Sequence, residues 1–301
     1  MRRHPATAGI LAVLLGIGLL APPPATAASG TPPRLGPLTA AYQRSAEAMR
    51  AAGSPYADWT AAGRRFLAFD RTGDGTAVEV VGDLDRAERV VVLVPGVATS
   101  LPDFDRGLGG VARRAPAAQA RTVYAALRAA EPDTPVAVVA WLGYDPPDGL
   151  GLAAARGDRA RSGGRSLAAF LSELAGQRPA ATVTAIGHSY GALVLGYAAA
   201  RLPRQVTDLV AVGGVGMGVD RAADLATSAR MWAAEAPDDW IRRIPQHRLG
   251  GLGHGVRPAT ARFGARALST DGVSGHDGYL EAGTGTVRGI VSIALHGTAD
   301  R

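Results

Sequence analysis

The chain has 301 residues, is 47% hydrophobic and 19% charged, and carries a formal net charge of +6. That length suits one large domain or two small ones, and the apolar share supports a packed core. All 32 basic residues are arginine, scattered without runs or interleaved aromatics, so no nucleic-acid partner is expected. The absence of cysteine excludes disulfides, cysteine-ligated metals and a cysteine-linked lipid anchor.

The N-terminus reads as a leader. Arg2 and Arg3 form a positive start, Ala8–Ala21 an apolar run, and Ala25-Thr26-Ala27 a small-residue cleavage site. The run is shorter than the roughly 20 residues needed to span a bilayer. The expectation is a signal peptide over 1–27, a mature chain starting near Ala28, and a secreted protein with no stable membrane anchor. Loss of Arg2 and Arg3 would lower the net charge from +6 to +4.

Residues 28–64 read as an N-terminal tail and helix. Ser29–Pro37 is rich in Pro and Gly, and Leu38–Ala52 has helical apolar spacing. Two strands, Arg65–Phe69 and Ala77–Val81, flank the turn TGDG and could pair antiparallel at a sheet edge. Val90–Val94 and Pro135–Trp141 are continuous apolar runs, as in strands buried on both faces. Helices are expected over Ala115–Ala130, Leu167–Ala175, Ala192–Arg201, Ala222–Thr227 and Val287–Leu295. Strands are expected over Thr182–Ile186, Leu209–Val212, Arg230–Ala234 and Ala265–Thr270. Pro146–Gly164 reads as a mobile loop bordering a pocket. The alternation of strand and helix from about residue 88 predicts an α/β fold. Its sheet would be mostly parallel, with helices on both faces of a single domain over 65–301.

The stretch TVTAIGHSYGALVLG places Ser189 between Gly187 and Gly191, after a β-branched run and before a helical one. G-x-S-x-G at such a corner pushes a serine oxygen out over the sheet edge. With 40 glycines in the chain, chance alone supplies about 0.2 such pentapeptides, so the flanking pattern carries the weight. A near-miss, Gly164-Arg165-Ser166-Leu167-Ala168, has no strand before it. Ser189 is therefore the expected nucleophile. The backbone N–H of Tyr190, at a helix start, can receive an oxyanion. A second such N–H is expected from Val97, after the strand VVVLVPG.

Serine needs a base, and in this arrangement the chain order is Ser, acid, His. His247 lies too close behind the acids, and His296 sits in the terminal helix. His254, in GLGHGVRP, and His276, in VSGHDGYL, remain. His276 is preferred because it follows the last expected strand in a glycine-bearing loop. The acid should follow the strand ARMWAA, where EAPDDW offers Glu235, Asp238 and Asp239. Asp239 is preferred, with Asp238 and, after the preceding strand, Asp220 as alternatives.

These segments resemble the α/β-hydrolase fold, and more closely an actinobacterial α/β-hydrolase family of unassigned function. The matching stretches are VVVLVPG, VAVVAWLGYDPP, TVTAIGHSYGALVLG, LVAVGGVGMGV, MWAAEAPDDWI, RFGARAL and GHDGYL, over roughly residues 75–296. The resemblance implies Ser189 as nucleophile, His276 as base and Asp239 as acid. The chain departs from the family pattern at Gly214-Val215, where Ser-Pro is usual, and at Trp240, where proline is common.

Three G-x-G-x-x-A matches, at Gly16, Gly107 and Gly149, never join a strand to a helix, which excludes a dinucleotide fingerprint. No metal motif, P-loop or cofactor is expected. The function expected is ester-type acyl hydrolysis of a small-molecule or lipid ester. The alternative is a non-catalytic binding protein on the same scaffold.

Overall fold

Alternation along the central strands builds the architecture. In β3 (Arg89–Val94), Val90, Val92 and Val94 join one buried cluster, while Val91 and Leu93 join another. Successive side chains of a strand point to opposite faces, so a run with no polar member must be covered twice. The first face is covered by Leu167, Leu171 and Leu174 of α6 (Asp158–Gln177) and by Leu193 and Leu195 of α7 (Gly191–Ala198). The second is covered by Val123 and Leu127 of α4 (Pro116–Ala130) and by Ile290 and Ile293 of α8 (Gly285–His296). This is a computed structural model, and it describes residues 35–299. The expected leader over 1–27 lies outside the described residues.

Eight strands form one sheet in the order β1-β2-β4-β3-β5-β6-β7-β8. The strands not yet placed are β1 (Arg65–Asp70), β2 (Thr76–Gly82), β4 (Val136–Leu142), β5 (Thr182–His188), β6 (Val206–Val212), β7 (Arg230–Ala234) and β8 (Arg266–Ala267). β1 and β2 pair antiparallel at one edge, and β2 joins β4 antiparallel. Every pair from β4 through β3 to β8 is parallel. Helix α1 (Leu38–Ala52) belongs to the same compact unit as the sheet and buries Leu38, Ala41 and Met49.

The sheet carries two buried carboxylates, each held by a fork of donors. Asp208, 1% exposed, accepts Arg230 Nε and Nη2 at 2.7 and 2.6 Å and Trp232 Nε1 at 2.8 Å. Glu79 accepts Arg64 Nε and Nη2 at 2.6 and 2.8 Å. Bidentate pairing satisfies lone pairs that burial would otherwise strand.

Two expectations are corrected, and two short helices are added. Much of Pro146–Gly164 is helical: α5 (Leu152–Arg156) is followed directly by α6, which starts at Asp158. Gly163 lies inside α6 because a Cβ there would come within 2.9 Å of the Tyr144 ring. Close packing, not mobility, is the reason for glycine. The last strand shrinks from the expected six residues to Arg266–Ala267, pairing only with Trp232 and Ala233. Short helices α2 (Tyr56–Ala61) and α3 (Asp103–Arg106) have too few turns to show a period.

Candidate active site

The carboxyl ends of β3, β5, β6 and β7 meet along one edge. Ser189 follows β5 directly and has φ +56°, a strained value for a residue with a side chain. Its amide donates to Val212 O of β6 at 3.0 Å, which anchors the turn. The flanking glycines are steric necessities. A Cβ on Gly191 would run into the Val94 carbonyl, and one on Gly187 would meet the Gly191 backbone at 2.5 Å.

The imidazole of His276 reaches the same edge from the long loop after β8. Its Nδ1–H donates to Asp239, with Oδ1 at 2.9 Å and Oδ2 at 3.0 Å. Asp239 follows β7 and also accepts from Ile241 N at 2.8 Å, capping the 3₁₀ turn Trp240–Arg243. A third donor, Tyr279 O–H, reaches Oδ2 at 2.6 Å, and the same Tyr279 oxygen accepts from Ala236 N at 2.8 Å. Burial alone would raise the Asp239 pKa. The hydrogen bonds from His276 and Tyr279 outweigh it and hold the carboxyl below its ordinary 3.8.

The loop bearing His276 is braced on three sides. Asp238 Oδ2 accepts from Gly275 N at 2.9 Å, and Asp277 pairs with Arg114 at 2.7 Å. His188 Nε2 lies 2.8 Å from His276 O. Burial, then the charge of His276, push the His188 pKa down to about 4, so His188 is neutral near pH 7 and donates this bond. On the other side Trp240 covers the imidazole, ring centroids 4.5 Å apart.

Neither Tyr190 N–H nor Val97 N–H donates to an acceptor among the described residues. The Val97 loop lies against the serine: a Cβ on Gly96 would be 2.9 Å from Ser189 Cβ. Ala98, at φ +57°, donates to Pro147 O at 2.7 Å, and Tyr144 O–H donates to Pro95 O at 2.7 Å. Both bonds hold this loop beside the elbow. Ser189 is 3% exposed and its hydroxyl makes no hydrogen bond among the described residues.

The alternative residues sit elsewhere. His254 is buried edge-on against the Tyr190 ring at 5.8 Å, and burial lowers its pKa. Asp220 pairs with Arg248 at 2.9 Å, and His296 lies 3.5 Å from Glu131. Tyr279 and His188 carried no role in the sequence reading. The available signal for Tyr279 was its place three residues beyond His276 in GHDGYL.

A family profile described as Alpha/beta hydrolase matches residues 70–249, more than half the chain. This chain belongs to the alpha/beta-hydrolase family. The match includes Ser189 and Asp239 and stops before His276. The uncharacterized protein Rv2079 of Mycobacterium tuberculosis is 30% identical over 266 residues, 75% of this chain and 38% of its own length. The uncharacterized protein Mb0988c of Mycobacterium bovis is 35% identical over 148 residues, 48% of this chain and 54% of its own. The chain thus spans well under two thirds of these relatives. Among solved structures, esterase PE8 is similar at TM-score 0.45 and 18% identity, covering 71% of this chain and 95% of that one. A dienelactone hydrolase from Anabaena variabilis has TM-score 0.44 and 16% identity, covering 77% and 97%.

Proposed function

We propose that this alpha/beta hydrolase cleaves ester-type acyl bonds through Ser189, His276 and Asp239, and acts outside the cell after loss of residues 1–27. The observation that carries the reading is the Asp239–His276 pair at 2.9 Å, at the sheet edge where an elbow raises Ser189. A carboxylate on Nδ1–H sets the tautomer and leaves Nε2 free to take a proton.

Ser189 Oγ attacks the carbonyl carbon as its proton passes to His276 Nε2. The carbonyl oxygen becomes an oxyanion, received by the Tyr190 and Val97 N–H groups. Collapse of the tetrahedral intermediate breaks the bond to the alcohol, which leaves with the proton from His276. Water then gives a proton to His276 and attacks the acyl-serine, releasing the acid and restoring Ser189. Asp239 keeps its charge throughout and stabilises the imidazolium.

A fluorophosphonate probe tests this. Wild-type protein should be labelled, and Ser189→Ala should not; equal labelling sinks the reading. One observation favours the non-catalytic alternative: Ser189 and His276 share no hydrogen bond among the described residues. In resting hydrolases that bond is often long and tightens with substrate, and labelling separates the two cases.

A further inference from the structure

The segment 242–262 holds Arg242, Arg243, Arg248, Arg257 and Arg262, together with His247 and His254, and no acidic residue. Neighbouring elements supply two acids. Glu235 holds Arg257 at 2.7 Å and Arg242 at 3.5 Å, and Asp220 holds Arg248. Five guanidinium groups against these two paired carboxylates leave a positive excess on this segment, and on the neighbouring segment the exposed Asp148 and Arg156 offset each other. The segment also lines an open cleft of about 480 Å³, with Arg242, Gln246, His247, Arg257, Thr260 and Arg262 on its walls.

Large exposed apolar side chains gather at the same place. Four of the five among the described residues are Leu249 (82% exposed), Leu252 (40%), Leu150 (65%) and Leu152 (56%). Leu249 and Leu252 face each other across a two-way backbone bridge that forms a tight hairpin. Leu150 and Leu152 stand at the start of α5, tied to that hairpin by Gly253 N donating to Ala155 O at 2.9 Å. Isolated exposed leucines are ordinary, but a cluster on two adjoining segments marks an interaction surface. Both segments border the catalytic edge. His254 packs on the Tyr190 ring, and the Pro147 carbonyl holds Ala98 beside Val97.

We propose that this face docks on a lipid surface bearing anionic headgroups, the leucines entering the acyl boundary and the arginine-lined cleft receiving headgroup phosphates. Apolar side chains set in a basic segment suit the interface between anionic headgroups and acyl chains. For substrate class this rests on the ester-hydrolase reading: the substrate would be an ester presented at an aggregated, anionic interface. Docking itself needs no catalysis.

Co-sedimentation with vesicles tests it, using the Ser189→Ala chain from Ala28. That form keeps the whole compact unit and lacks the apolar leader, which would bind lipid by itself. It should bind vesicles of roughly 7:3 phosphatidylcholine to phosphatidylglycerol, not phosphatidylcholine alone, and release as salt rises. Adding Leu249→Ser and Leu252→Ser should weaken binding about tenfold with an unchanged melting temperature. No binding to the anionic vesicles, equal binding by the leucine variant, or full displacement by inorganic phosphate would overturn the proposal. Since the nucleophile is absent throughout, none of these results depends on the labelling experiment.

Discussion

Asp239 accepts three hydrogen bonds at a site where its own side chain is fully covered, and each donor has a separable task. Ile241 N–H fixes the turn, His276 Nδ1–H spans both oxygens, and Tyr279 O–H makes the shortest bond, to Oδ2 at 2.6 Å. Removing one partner of a buried charged hydrogen bond costs about 1–3 kcal/mol. Tyr279→Phe should therefore lower kcat about tenfold with KM little changed, because Asp239 and His276 lose a fixed geometry and substrate contacts do not. Steady-state kinetics on a soluble ester reads this, and an altered KM at constant kcat would assign Tyr279 to substrate binding. His276→Gln should abolish measurable turnover while leaving the fold intact, checked by the same assay beside a thermal melt.

At the scale of elements, the elbow works because backbone passes through space a side chain would fill. Gly191→Ala puts a methyl against the Val94 carbonyl, backbone that cannot move aside. The strain should cost about 2 kcal/mol or more and displace Ser189, so probe labelling falls together with stability. The Asp208 fork ties β6 to β7, the strand that delivers Asp239. Asp208→Ala leaves buried Trp232 Nε1 without its acceptor, while half-exposed Arg230 turns to water, and should destabilise by about 1–3 kcal/mol. Denaturant titration checks this; a loss under 1 kcal/mol would mean that water replaces the carboxylate. Elements with a clear period were readable in advance: α1, β7 and the central strands lie where the apolar spacing puts them. The start of α6 was not, because its glycines resemble loop residues until the Tyr144 ring is seen against them.

For the whole molecule, acid is the condition to which these groups respond. The His188 pKa falls from its ordinary 6.5 to about 4, first through burial and then through repulsion from His276. Between those values the unfolded chain binds a proton that the fold refuses, so stability is full above pH 6.5 and drains as pH falls toward 4. The loss from this group is up to about 3 kcal/mol. His254, lowered by burial, acts in the same direction. Asp239 adds a second decline: its contribution is complete above 3.8 and vanishes as pH falls through its depressed value. Melting curves across this range should show His188→Asn with a shallower decline than wild type between pH 6.5 and 4. Parallel curves would remove His188 as the cause.

Local chemistry alone determined the elbow and the doubly covered strands. Each follows from short-range sterics or from periods of two and 3.6 residues that are written in the chain itself. Only the tertiary structure paired His276 with Asp239, set His254 against the Tyr190 ring and turned Asp238 to the Gly275 amide. It alone brought Tyr279 and His188 to the site and set four leucines beside an arginine-lined cleft. Those choices depend on which loops the sheet order brings together across gaps of 37 residues and more, and no local pattern encodes such distances.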